Sequence, residues 1–233
     1  MYLYGGIRGT LPSTIGALTS LQYLYFAKCR FNGTIPSTLG ALTKLGFLKL
    51  GPSSFTGTIP SSISALTSLD YLNLGWNSLT GTIPSSISAL KSLRLLYLSE
   101  NCLVGTIPNF ITVSTAIRTL QTGTPLGNRT YNSTENLKTI LSVLHLGSNS
   151  LAGTIPSTIS ELTWLSSLDL SGNSITGTIP SSIRSLKRLY MLRLSSNSLT
   201  GTIPSSISEF TRLSTFNLSF NSLNGTIPST MSV

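Results

Sequence analysis

The chain has 233 residues, of which 40% are hydrophobic and 9% are charged, so it can bury a large core. Its 15 Lys and Arg outnumber its 6 Asp and Glu, which gives a formal charge of +9, and the basic residues are scattered along the chain. This distribution favours attraction to acidic polysaccharides or anionic surfaces and argues against nucleic-acid recognition. No apolar run is long enough to predict a membrane span.

A sequence pattern repeats every 24 residues, and numbering its positions from Leu66 makes it explicit. A fixed period of this length predicts a solenoid of stacked coils. The alternation in Leu72-Asn73-Leu74 predicts one short strand per coil, and stacked coils would pair these strands in a parallel sheet at a spacing of ~4.8 Å. Seven apolar positions are expected to point inward, namely Leu66, Leu69, Leu72, Leu74, Leu79, Ile83 and Ile87.

The repeat register predicts one continuous array over residues 1–233, with a partial first coil at residues 1–17. No linker interrupts it. Because the array starts within a repeat and stops at the end of one, we expect polar terminal caps and a secretion signal to lie outside this sequence. The nine full coils begin at Leu18, Leu42, Leu66, Leu90, Ser114, Lys138, Leu162, Leu186 and Phe210.

Position 12 of the repeat carries an asparagine, Asn77 in the coil that starts at Leu66. An amide placed where the chain leaves the strand must be hydrogen-bonded, and stacked amides can satisfy the backbone of neighbouring turns. Gly81 and Pro84 then break regular structure and turn the chain outward. The same position holds Asn101, Asn149, Asn173, Asn197 and Asn221.

These residues, together with the Gly-x-Ile-Pro signature at Gly81 and Pro84, resemble the plant-type leucine-rich repeat family. The resemblance implies an α/β solenoid, a right-handed curved stack of about ten coils with a parallel concave β-sheet and short helical turns on the convex side. Within this family, the chain resembles the ectodomains of receptor kinases and polygalacturonase-inhibiting proteins. Those relatives bind peptides, cell-wall fragments or other proteins, so the resemblance implies a recognition module without enzyme activity.

Residues 114–137 span one period but break the pattern. We expect the strand to survive at Ile117 and Leu120, whereas Pro125 replaces the asparagine and Glu135 replaces a core isoleucine. A carboxylate is too costly to bury unpaired, so the second half of this irregular coil should be a solvated loop. It can be a decayed repeat or a recognition loop.

The outward positions of the concave strands carry more aromatic residues in the early coils than in the late ones. Exposed Tyr, Trp and Arg dominate binding hot spots, so this early surface is the predicted ligand site. The alternative is that cross-strand aromatic pairs only stabilise an exposed sheet. The predicted ligand-binding residues are Tyr23, Tyr25, Lys28, Phe47, Lys49, Tyr71, Asn73, Trp76, Arg94 and Tyr97.

A second candidate surface is a file of threonines at position 17, present in every coil, which resembles the flat arrays of ice-binding solenoids. Methyl and hydroxyl groups at ~4.8 Å spacing on a rigid face can match the spacing of water. The alternatives are recent duplication and the preference of β-branched residues for a narrow strand. The predicted ice-binding residues are Thr34, Thr58, Thr82, Thr106, Thr154, Thr178, Thr202 and Thr226.

Asn-x-Ser/Thr sequons indicate a secreted protein, so we expect an extracellular or cell-surface location with glycans at Asn32, Asn128, Asn132 and Asn224. Enzyme activity is not expected. The single histidine, His145, should have Gln121 and Asp169 as neighbours, but no nucleophile with an oxyanion arrangement is visible. No motif predicts a metal or a cofactor. The expected partner is a protein, a peptide or an acidic polysaccharide.

Overall fold

A computed structural model of the chain describes residues 1–27, 29–109 and 140–228. Four sequence predictions fall outside the described residues. They concern the ligand-binding residue Lys28, the glycosylation sites Asn128 and Asn132, and the irregular coil at 114–137.

One short strand from each described coil joins a nine-stranded parallel sheet, as the alternating pattern predicts. From the second strand onward, neighbouring strands pair at equivalent positions of the repeat, for example Leu48 with Leu72 and Leu168 with Leu192. The predicted solenoid is therefore confirmed. In spatial order the strands are Tyr2–Tyr4, Tyr23–Ala27, Phe47–Lys49, Tyr71–Asn73, Leu95–Tyr97, Val143–His145, Ser167–Asp169, Met191–Arg193 and Thr215–Asn217.

The strand expected at Ile117 and Leu120 belongs to the irregular coil, which lies outside the described residues. Strand Leu95–Tyr97 pairs directly with strand Val143–His145. The Leu98 N–H also donates to the His145 carbonyl at 2.8 Å, so the sheet has no place for another strand there. His145 accordingly has Tyr97, and not Gln121, as its partner on that side.

A second set of short strands follows the concave strands and forms a lateral surface of three small parallel sheets. Isolated bridges such as Thr58–Thr80 and Thr82–Val104 join strands of successive coils along the same surface. The lateral strands are Arg8–Thr10, Arg30–Thr34, Ser54–Thr56, Val104–Thr106, Ser150–Ala152, Thr176–Gly177 and Ser198–Leu199.

Short 3-10 helices begin directly after the proline in seven of the described repeats and close the coil. Proline fits the position before the helix because its φ is set near −65° and no N–H is required there. Among the described residues, no helix has the length and apolarity to cross a membrane. The helices are Ser13–Ala17, Ser37–Ala41, Ser61–Ala65, Ser85–Ala89, Ser157–Glu161, Ser181–Ser185 and Ser205–Glu209.

The core is a continuous column of leucine, isoleucine and phenylalanine, and all seven apolar positions predicted from the coil at Leu66 are buried. The asparagine ladder is also confirmed. Asn101 Nδ2 donates to the carbonyls of Leu74 in the preceding coil and Leu98 in its own coil, both at 3.0 Å. Its Oδ1 accepts the Leu79 N–H at 3.0 Å. Each amide thus satisfies backbone groups of two coils and holds them in register.

Candidate functional site

Aromatic side chains form a continuous column across the first strands of the concave sheet. The ring centroids of Tyr25 and Phe47 are 6.1 Å apart, those of Phe47 and Tyr71 are 4.2 Å apart, and those of Tyr71 and Tyr97 are 5.5 Å apart. The column continues at one end to Tyr2. Five predicted site residues therefore lie together, because Tyr23 is also within 6.5 Å of Phe47.

Neighbouring rings stack on one another, which limits the atoms that a ligand can contact. Phe47 and Tyr71 are stacked with only 7° between their planes, and each is half-buried. Such pairs stabilise the sheet beyond the burial of their area. Their faces are occupied, so ring edges and tyrosine hydroxyls remain for a partner.

Trp76 differs from the stacked rings because 58% of its surface is exposed and its backbone is left-handed, with φ of 53°. The same position of a later coil holds Gly172, with φ of 62°. A bulky residue in this region is uncommon and costs about 1 kcal/mol relative to a favoured conformation. Trp76 is therefore an exposed aromatic residue at a position whose backbone conformation favours glycine.

Charged groups flank the aromatic column. The Lys49 ammonium lies 5.2 Å from the centre of the Tyr25 ring, within the range of a cation–π contact. Arg94 Nη2 donates to Asp70 Oδ2 at 2.6 Å, and this ion pair raises the pKa of Arg94. Burial raises the pKa of the Tyr97 hydroxyl, so it remains a hydrogen-bond donor at neutral pH.

Asn73 was predicted as a surface ligand residue, but only 8% of it is exposed. Its Nδ2 donates to the Tyr71 hydroxyl at 3.1 Å and its Oδ1 accepts the Gly75 N–H at 3.0 Å. Its amide therefore positions Tyr71. Sequence reasoning also missed Tyr2 and Tyr4, both about 70% exposed on the first strand. Their alternation around Leu3 was the available signal.

The second half of the concave face contains a polar cluster around His145. Its Nε2 lies 2.7 Å from Ser167 Oγ, and the Ser167 hydroxyl also donates to Met191 Sδ at 3.3 Å. Burial lowers the pKa of His145, although the charge of Asp169 opposes this shift. Ser167 has no exposed surface. A substrate cannot reach this hydroxyl in the structure, so the pair does not form an accessible nucleophilic site.

The position-17 threonines form an exposed file along the lateral surface. The coils of Thr106 and Thr154 are neighbours along this file. A Cβ placed on Gly153 would lie 3.0 Å from the Thr106 γ-methyl. Within the described residues the hydroxyls of this file make no intramolecular hydrogen bond. The exposed members are Thr34, Thr58, Thr82, Thr106, Thr154, Thr178, Thr202 and Thr226.

The two described glycosylation candidates also lie on this lateral surface. Asn32 and Asn224 are exposed, and each pairs with a lateral residue of a neighbouring coil. Both belong to an Asn-Gly-Thr sequence whose threonine is a member of the file. A glycan at either position would stand beside one end of the file.

Models of the leucine-rich repeat match residues 43–103, 139–199 and 163–223, and a further model of the same repeat matches residues 20–42. A comparison with curated protein sequences finds no match.

Several solved plant proteins are similar to the chain. The plant peptide hormone receptor RGFR1, solved in complex with RGF2, is 38% identical over 93% of this chain and 31% of its own, with a TM-score of 0.80. The ectodomain of the Arabidopsis receptor kinase HAESA, in complex with an IDA peptide hormone, is 35% identical over 96% of this chain and 33% of its own, with a TM-score of 0.79. The chain thus spans about a third of these receptor chains.

A plant ice-binding protein is also similar. It is 27% identical over 98% of this chain and 74% of its own, with a TM-score of 0.68. The similar structures thus include peptide hormone receptors and an ice-binding protein.

Proposed function

Because this chain belongs to the leucine-rich repeat family, we propose that it is a recognition module that binds a protein or peptide on the early half of its concave face. The observation that carries the proposal is the group of exposed aromatic side chains beside the stacked column, above all Trp76 and Tyr23, which are 58% and 50% exposed. Neither is explained by core packing, and exposed aromatic residues dominate protein interfaces.

A peptide suits this surface better than a sugar. Sugars pack on open aromatic faces, whereas the faces of Phe47 and Tyr71 cover each other. A peptide can instead use ring edges, the Tyr97 hydroxyl and the charges of Lys49 and Arg94. Similarity to receptor ectodomains that bind peptide hormones supports this choice and supports an extracellular or cell-surface location without enzyme activity.

The test is selection from a random peptide display library on the wild-type chain, followed by binding measurements on variants. Trp76→Gly and Tyr23→Ala should each weaken the selected peptides about tenfold or more, as expected for hot-spot residues. Tyr190→Ala is the matched control, because Tyr190 is 43% exposed on the late half of the same face. If all three variants bind equally well, the early concave site is wrong. Retention of polygalacturonate alone would instead indicate an acidic polysaccharide.

We propose ice binding by the lateral threonine file as a second candidate function. The specific observation in its favour is that exposed hydroxyls with no intramolecular partner among the described residues recur in every described coil, for example at Thr58, Thr82 and Thr178. Similarity to a plant ice-binding protein supports it.

Thermal hysteresis and inhibition of ice recrystallisation test this second function. The triple change Thr82→Lys, Thr154→Lys and Thr178→Lys should abolish both activities, because charged side chains disrupt the file. The control is Thr43→Lys, Thr67→Lys and Thr211→Lys, which adds the same charge at exposed threonines outside the lateral surface. Wild-type protein without either activity would exclude the function.

A further inference from the structure

The glycine between two threonines of the lateral surface contacts both of its neighbouring coils. A Cβ placed on Gly57 would lie 2.9 Å from the γ-methyl of Thr34 in the preceding coil, so that methyl packs directly on the glycine backbone. The Gly57 carbonyl also accepts the Thr80 hydroxyl of the following coil at 3.3 Å. One glycine thus orients a position-17 threonine on one side and a position-15 threonine on the other.

The same arrangement recurs in the late coils. A Cβ on Gly177 would lie 2.8 Å from the Thr154 γ-methyl, and the Gly177 carbonyl accepts the Thr200 hydroxyl at 3.4 Å. At the eight described glycines of this position from Gly33 to Gly225, the distance from such a Cβ to the threonine methyl stays between 2.8 and 3.1 Å, whereas Gly9 in the first coil has no such neighbour. Any other residue would displace the threonine and would need a φ near +70°, as at Gly57, which glycine alone adopts readily.

The side chains of the two threonine files are oriented through different groups, the methyl at position 17 and the hydroxyl at position 15. At position 17 the methyl is fixed against glycine and the hydroxyl is left for solvent. At position 15 the hydroxyl donates to the glycine carbonyl, as for Thr56 to Gly33 at 3.3 Å and Thr176 to Gly153 at 3.1 Å, which leaves the oxygen lone pairs to accept from a ligand. Side chains in both files are therefore ordered before any ligand arrives, which lowers the entropy cost of binding.

Resting on the proposed ice-binding function, we propose that the ice-contacting unit is a lattice made by both threonine files, with the position-16 glycine as the element that orients them. The two files are ~6.6 Å apart along each strand, and because position 17 of one coil pairs with position 15 of the next, as Thr58 does with Thr80, threonines of the two files lie ~4.8 Å apart between coils. Ice presents periodic groups in two directions, as this lattice does. From Ser54 onward, the outward positions 13, 15 and 17 of the described lateral strands carry no charged residue.

The lattice has a defect at its centre. Position 15 is threonine at Thr56, Thr80, Thr176 and Thr200, but Val104 and Ala152 occupy it in the two described coils between these pairs. Both residues are exposed and lie on paired strands, in which Ala152 is opposite Thr106. Threonine at 104 and 152 would place hydroxyls near the Gly81 and Gly105 carbonyls and join the two halves of the file.

The experiment is the double change Val104→Thr and Ala152→Thr, assayed by thermal hysteresis. Joining the two halves into one array should raise the hysteresis roughly twofold or more at equal concentration, because linked contacts act together. Ala41→Thr with Ala65→Thr is the control, since these exposed alanines end 3-10 helices on another face. Circular dichroism and melting temperature establish that each variant is folded.

The outcomes separate the lattice from the function itself. If wild-type protein is active and the position-17 lysine variant is inactive, but the repaired chain gains no more than its control, the second file has no role and the lattice is wrong. A folded chain that is inactive both before and after repair overturns ice binding as well. A gain confined to the repaired chain supports the lattice.

Discussion

Leu96 pairs directly with Leu144 in the concave sheet, although two full repeat periods separate them in the chain. Both are fully buried, and the asparagine ladder crosses the same junction, because Asn149 Nδ2 donates to the Leu98 carbonyl at 3.1 Å. The concave sheet and the asparagine ladder are therefore continuous between these two described strands.

Deletion of residues 114–137 should leave the solenoid folded. The deletion removes one period and joins Val113 to Lys138 in repeat register. Shortening the connection lowers the entropy cost of closing it, so we expect the free energy of unfolding to stay equal or rise by about 1 kcal/mol. Urea denaturation followed by circular dichroism measures this. A deletion variant that fails to fold would show that the segment supports the stack.

Asn149→Ala should destabilise the chain by about 2–3 kcal/mol, because buried backbone groups lose their partners. Asn149 Oδ1 accepts the Leu103 N–H at 3.0 Å, and Nδ2 donates to the Leu146 carbonyl at 3.0 Å. Asn224→Ala at an exposed lateral position is the control and should change stability by less than about 0.5 kcal/mol. Equal effects in denaturant titrations would contradict the role of the ladder.

The aromatic residues of the concave face should separate into stabilising and exposed groups. Phe47→Ala removes a stacked partner of Tyr71 and should cost about 2 kcal/mol. Trp76→Gly should change the free energy of unfolding by less than about 1 kcal/mol, because relief of the left-handed backbone offsets the lost contacts. Melting curves of the two variants compare these effects. A large loss of stability for Trp76→Gly would assign it a structural role.

His145 should make the fold sensitive to mild acid. Burial lowers its pKa in the folded chain, so the unfolded chain binds a proton more readily. Its contribution to stability is therefore complete above its ordinary pKa of 6.5 and is lost as pH falls toward the lower folded-state value. His145→Gln removes this proton linkage. Melting temperatures measured between about pH 7.5 and pH 5 should fall less steeply for the variant than for wild type; parallel slopes would contradict the prediction.

The repeat pattern alone predicted the concave strands, the buried apolar positions and the asparagine ladder. It could do so because each of these features depends on contacts between equivalent positions of adjacent coils, so identical residues at a fixed period imply identical neighbours. The threonine file was predicted for the same reason. The pattern does not determine the function of the file, because duplication of a repeat copies its threonine whether or not that threonine has a role.

Adjacency and exposure were decided only by the tertiary structure. Counting in steps of 24 placed Gln121 beside His145, whereas pairing through the sheet brings Tyr97 there. The alternating pattern predicted that Asn73 points outward, but its amide is hydrogen-bonded to Tyr71 and Gly75 and the residue is buried. The orientation of both threonine files by one glycine was likewise invisible in the sequence. Periodicity determines which residues occupy equivalent positions, but side-chain packing between coils determines which of them a ligand can reach.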